Sequence, residues 1–131
     1  MAGNYLYEIS IPANTSFYSP SVTDLALSPG ILTRLTLGFP PGCAALLRVQ
    51  ILQDERVIYP SNSDNSYGWD DIFFVLEPFL VIPEDYRMAL AVRAWNDDTL
   101  FSHSLLVNIN VVGLDTQVQG LFDLQKFGWG F

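Results

Sequence analysis

The chain has 131 residues, half of them hydrophobic and 15% charged, and 14 acidic side chains against 6 basic ones leave a net charge of −8. The length suits one domain with a core of its own, the apolar content excludes general disorder, and so apolar a small chain favours an obligate assembly. The negative charge disfavours nucleic acid and anionic membrane surfaces as partners and leaves a neutral or cationic protein compatible.

The start, MAGNYLYEISIP, has neither the basic residues nor the apolar stretch of a secretory signal, so a soluble, non-secreted chain is expected. Tyr5, Tyr7, Ile9 and Ile11 alternate with Leu6, Glu8 and Ser10, the period of two that marks a strand with one buried face. Asn14-Thr15-Ser16 matches a glycosylation sequon, which without a secretory route reads as chance. Val22 to Leu27 is a weak strand signal and Ile31 to Leu37 a better one. After the turn Phe39-Pro40-Pro41-Gly42, Cys43, Ala45, Leu47, Val49 and Ile51 alternate with a face containing Arg48 and Gln50. Arg56 to Ile58 follows weakly, and Asp71 to Leu76 is a further strand candidate. The apolar run from Ile72 to Pro83 is broken by Glu77-Pro78 and is too short to span a bilayer, which takes about 20 residues. Met88, Leu90, Val92 and Ala94 alternate, as do Phe101, His103, Leu105, Val107, Ile109 and Val111. The best hairpin signal joins strand 86–95 to strand 102–111 through Asn96 to Leu100. No helical period competes. About eight short strands punctuated by Pro and Gly predict an all-β fold, a single antiparallel β-sandwich of jelly-roll or immunoglobulin-like form. It should cover residues 1–112, with residues 113–131 as an extended C-terminal arm.

That arm, GLDTQVQGLFDLQKFGWGF, is apolar yet interrupted by glycines at 113, 120, 128 and 130. Gly inside a helix costs about 1 kcal/mol relative to Ala, so a long stable helix is not expected. In an extended arm Phe127, Trp129 and Phe131 fall on one side. Aromatic anchors of this kind dominate binding when they fill pockets, so Leu121, Phe122, Phe127, Trp129 and Phe131 are the candidate partner-binding residues.

Chemistry-bearing constellations are sparse. The polar loop from Ser61 to Asp70 is a candidate ligand site, with Tyr67 and Trp69 to stack on a sugar ring and Asn62, Asp64 and Asp70 to accept its hydroxyls. The same loop fails as an EF-hand: reading from Asp64, Gly68 falls one place early and Val75 stands where a Glu is needed. A calcium site joining Asp70 or Asp71 to Asp97 or Asp98 competes with solvated turn acids. One histidine and one cysteine suggest no zinc site. Cys43 reads as a buried structural thiol and His103 as a neutral core or interface histidine. A catalytic triad would have to use His103, and no serine carries an elbow motif. No catalytic residue, metal or cofactor is assigned.

Three pieces together, Ile11-Pro12-Ala13-Asn14-Thr15-Ser16, Phe39-Pro40-Pro41-Gly42-Cys43-Ala44 and Ala94-Trp95-Asn96-Asp97-Asp98, resemble small β-sandwich proteins encoded among the structural genes of tailed bacteriophages, over roughly residues 9 to 112. The resemblance implies a virion component of the capsid decoration or cement type, with no transferable active site. The expectation is therefore a non-enzymatic assembly protein on a lattice such as a major capsid protein, a homo-oligomer with a trimer favoured. It would sit on the capsid surface, and otherwise be soluble and cytoplasmic. The alternative is a carbohydrate-binding module using Tyr67, Trp69 and Trp95, and a small hydrolase built on His103 comes third.

Overall fold

The computed structural model describes residues 3–83 and 90–113. Within them lie nine strands: β1 (Gly3–Ile11), β2 (Ser21–Leu25), β3 (Gly30–Phe39), β4 (Leu47–Gln53), β5 (Arg56–Tyr59), β6 (Ile72–Leu76), β7 (Leu80–Ile82), β8 (Leu90–Asn96) and β9 (His103–Val112). They form two antiparallel sheets. One runs β1-β9-β3-β6, with β7 also paired to β3, and the other runs β2-β8-β4-β5. Alternation along each strand sends one set of side chains between the sheets. Ile11, Leu35, Leu37, Leu47, Val49, Ile51, Leu105, Val107 and Ile109 meet there and are buried. The chain is thus an all-β sandwich.

The strand order separates the two predicted forms. β1 lies beside β9, β2 beside β8, β3 beside β6 and β7, and β4 beside β5. A long antiparallel hairpin, rolled so that β9 also meets β3 and β8 also meets β4, gives this order, which is that of a jelly roll. An immunoglobulin sandwich would place the second strand between the first and the fifth. The innermost turn is well matched to its task. Asp54 and Glu55, with φ of 50° and 70°, make the two-residue type I′ turn that suits the twist of a hairpin.

Two expectations need correction. β8 and β9 are not a hairpin, because β8 belongs to the four-stranded sheet and β9 to the five-stranded one. The segment between them crosses from sheet to sheet. Asn96, fully buried, holds that crossing: its Nδ2 donates to the carbonyls of Ile11 (3.2 Å), Pro12 (3.3 Å) and Phe101 (3.0 Å), and its Oδ1 accepts from the Asp98 N–H (3.0 Å). Turn chemistry at 96–100 was legible, and its tertiary destination was not. Second, the strand expected from Cys43 begins only at Leu47. Ala44 and Ala45 have φ of 49° and 61°, and the turn closes with Leu46 N–H on the Cys43 carbonyl at 2.8 Å. The run after Glu77-Pro78 adds a strand the alternation did not single out, β7, because Phe79, at φ 46°, re-aims the chain back onto β3.

Candidate functional site

The rolled topology gathers the β1–β2, β3–β4, β5–β6 and β8–β9 loops at one end of the sandwich. Backbone bonds tie them together: Asn14 N–H to Asp98 C=O (2.8 Å), Asn96 N–H to Thr15 C=O (2.9 Å), Asp97 N–H to Leu46 C=O (2.9 Å) and Ala45 N–H to Trp69 C=O (3.2 Å). Asp70 completes the brace. One carboxylate oxygen accepts from Gly42 N–H (2.8 Å) and Ala44 N–H (2.9 Å), and these bonds, Ala44 first, hold its carboxyl below the usual carboxylate range.

This end contains the predicted ligand loop, and its five residues part company. Tyr67 pairs with Val49 across a short bridge and turns inward, its ring 5.4 Å from that of Phe74 and its phenol pushed up by burial and then by Tyr59. Trp69 stays 60% exposed. Asp70 is occupied by the backbone of the β3–β4 loop. Asn62 closes a turn through its carbonyl, which accepts from Asn65 N–H at 3.0 Å, and Asp64 is exposed beside it. The geometry brings neither the two aromatics onto one stacking surface nor the three polar groups around either of them. Among the described residues no group of three or more His, Cys, Asp or Glu could hold a metal ion.

His103 begins β9 with little of its side chain in solvent. Its Nε2 lies 2.8 Å from Asp98 Oδ2. The other oxygen of Asp98 accepts from Leu100 N–H (2.9 Å) and Phe101 N–H (3.2 Å). Asp98 is held below the ordinary carboxylate range, by the Leu100 bond first and the His103 bond next. His103 thus braces the crossing loop through Asp98. Cys43 is fully buried, and burial followed by the charge of Asp70 pushes its thiol up, which opposes the thiolate a nucleophile requires.

The two outer faces of the sandwich differ. On the four-stranded sheet, Arg93 sits mid-face with its guanidinium 4.7 Å from the Phe17 ring centroid and 5.6 Å from that of Trp95. It donates to Gln50 Oε1 (3.2 Å) and to the Phe17 carbonyl (3.1 Å). Gln50 in turn donates to the carbonyls of Ser63 (3.1 Å) and Asn65 (2.8 Å) and is buried. Two loops are therefore folded down over this sheet.

On the five-stranded sheet, cross-strand rows carry apolar side chains outward. One row reads Glu8, Leu106, Gly38, Phe73, and the next Leu6, Asn108, Thr36, Val75. Leu6 is 64% exposed, Phe73 63% and Val75 55%. Gly38 has a purpose here: a Cβ would lie 2.7 Å from Phe73 Cε1, so its absence lets the ring settle on the sheet. Beside that ring opens a groove of about 390 Å³ bounded by Pro40, Pro41 and Leu106 with Glu8 and Asp71 at its rim. Asn108 Oδ1 is buried on the same face and has no hydrogen-bond partner among the described residues.

Reading the sequence for loops missed this face. Its signal was present in Ile72-Phe73-Phe74-Val75-Leu76, which is apolar at both parities although β6 lies at a sheet edge. Leu121, Phe122, Phe127, Trp129 and Phe131 lie outside the described residues. No protein-family model matches the chain, and no curated protein matches it. Among solved structures, a crystal structure of FLHE is similar over 84% of this chain and 96% of that one, with 12% identity and a TM-score of 0.45.

Proposed function

We propose that this chain is a non-enzymatic assembly protein that docks on a protein lattice through the outer face of its five-stranded sheet. In the narrowest form of the proposal it is a capsid decoration protein of the tailed-phage kind, on a major capsid protein, as a homo-oligomer with a trimer favoured. The observation that carries the reading is the exposed set Leu6, Phe73 and Val75, with half-buried Leu106 among them. Apolar area of this kind, contiguous across strands and rimmed by acids, marks association surfaces in soluble proteins. Decoration proteins act through many modest contacts that sum on a repeating lattice, and one small apolar face per subunit suits that arithmetic. The residues that could have suggested catalysis are engaged in bracing loops: His103 through Asp98, and Asp70 on the Gly42 and Ala44 amides.

The test is native mass by light scattering, with co-sedimentation on the particles from which the chain is purified. Wild type should self-associate or co-sediment. A Phe73→Asp, Val75→Asp double variant should stay folded by circular dichroism and lose that association. A variant ending at residue 119 tests the proposed arm separately. Unchanged association in the face variant removes the sheet from the proposal, and a wild type that is monomeric and binds no particle removes the proposal itself.

A further inference from the structure

We propose a second site, a cleft for an uncharged saccharide, formed by the β1–β2 turn and the start of the β8–β9 crossing. The cleft measures about 310 Å³ and is lined by Asn14, Thr15, Ser16, Phe17, Tyr18 and Asp97, with Asn96 at its base. It is distinct from the 61–70 loop and from the outer face of the five-stranded sheet.

Tyr18 is the informative residue. Its side chain is 91% exposed, yet the turn beneath it is fixed at many points. Its own N–H donates to Ser16 Oγ (3.1 Å), and Ser19 N–H donates to the Ser16 carbonyl (3.1 Å). Its ring meets Phe17 edge to face at 5.2 Å, and Phe17 is clamped by Trp95 at 4.9 Å and by Arg93 from above. An exposed aromatic ring on a backbone already fixed by folding is a stacking platform that needs less ordering on binding than one on a free loop. Beside it stand oxygen acceptors that the fold leaves open. Among the described residues nothing hydrogen-bonds the Asp97 carboxylate, and the Asn14 side chain is held only through its Nδ2, on the Thr99 carbonyl at 3.2 Å. Thr15 Oγ1 donates to the Pro12 carbonyl at 2.7 Å, which leaves its lone pairs free to accept.

A flat apolar platform flanked by open acceptors matches the two sides of a sugar ring, its C–H face and its hydroxyl edge. A docking protein surface fits less well, since burying Asp97 without a donor costs far more than burying apolar area. The net charge of −8 and the Asp97 carboxylate oppose phosphorylated or acidic sugars.

The experiment is titration of the full chain with a panel of neutral oligosaccharides of gluco, galacto and manno configuration, followed by amide chemical shifts. At least one should bind saturably and shift residues 14–18 and 97. Tyr18→Ala removes an exposed ring and leaves the fold intact; it should weaken that binding by at least about tenfold, and Asp97→Ala should do likewise. Trp69→Ala should leave it unchanged. The site is refuted if no panel member binds, if Tyr18→Ala binds as wild type does, or if Trp69→Ala removes the binding. If instead no sugar binds and Tyr18→Ala lowers the native mass, the cleft is a protein contact and the saccharide proposal is wrong. None of these outcomes bears on the Phe73, Val75 face.

Discussion

The two outer faces of this sandwich are made from similar strands and end up unlike. The four-stranded sheet is roofed by its own loops, with Arg93 over the packed rings of Phe17 and Trp95 and Gln50 holding the 63–65 segment. Over the five-stranded sheet Leu6, Phe73 and Val75 are left in water. The difference is one of local chemistry. A roof forms where a sheet face carries polar groups that can hold loop carbonyls in fixed places. The row Leu106, Gly38, Phe73 supplies no such handle, and among the described residues Asn108 and Thr36 in the next row hold no loop carbonyl. The covered face belongs to the stability of the fold, and the bare face is available for association.

The contrast can be broken by substitution. Leu105→Ala, in the core that both sheets share, sets the upper scale: about 2–5 kcal/mol of lost stability in a urea melt. Asn96→Ala strips the donor from three carbonyls at the crossing and should cost about 1–3 kcal/mol, seen in the same melt. On the roofed face Arg93→Ala should cost about 1–2 kcal/mol and speed amide exchange at residues 63–65 as the roof loosens. Glu55→Gly, away from both faces, should stabilise by about 0.5–1 kcal/mol, because glycine adopts the positive φ of that turn without strain. Smallest of all, Phe73→Thr on the bare face should change stability by less than about 0.5 kcal/mol while raising solubility. Equal melting shifts for Arg93→Ala and Phe73→Thr would show that the two faces do not differ in the way described.

Acid offers a further probe of the loop end. Asp98 and Asp70 have folded pKa values lowered below their unfolded ones, so each contributes stability that is present above the ordinary carboxylate range and lost as pH falls through the lowered folded value. Melting temperature should therefore drop as pH is taken below about 4, and Asp98→Asn should flatten part of that drop. An acid limb of the same steepness in Asp98→Asn would show that the His103 and backbone bonds to Asp98 do not matter to folding.

The strands were legible because each repeats at two and needs only local chemistry. Tyr5 to Ile11 and Leu105 to Val111 read correctly from alternation alone. The Asn96 to Leu100 turn was also legible, but whether a turn returns a strand to its own sheet or throws it to the other depends on what holds its interior. Here that is Asn96 gripping Ile11 and Pro12, which are far away in sequence. In the 61–70 loop the two aromatics are separated for a related reason. Tyr67 and Trp69 read as a pair, but Tyr67 is drawn inward by the bridge to Val49. The aromatic that the fold does present, Tyr18, had no local signal, since the Phe17 it packs against is held by Arg93 on a distant strand. Even the bare face was written in β6, whose doubled apolar pattern stands out only once that strand is known to lie at an edge.

The nested strand order has a kinetic consequence. Among the described strands β1 pairs only with β9, so it must wait through the synthesis of the strands between them before it finds this neighbour. Until then the side of β3 that will receive β9 is also open. Folding dominated by such distant pairings falls in the slow range, on the order of milliseconds to seconds for two-state domains. During that interval the doubly apolar β6 is the segment most able to pair with the wrong molecule.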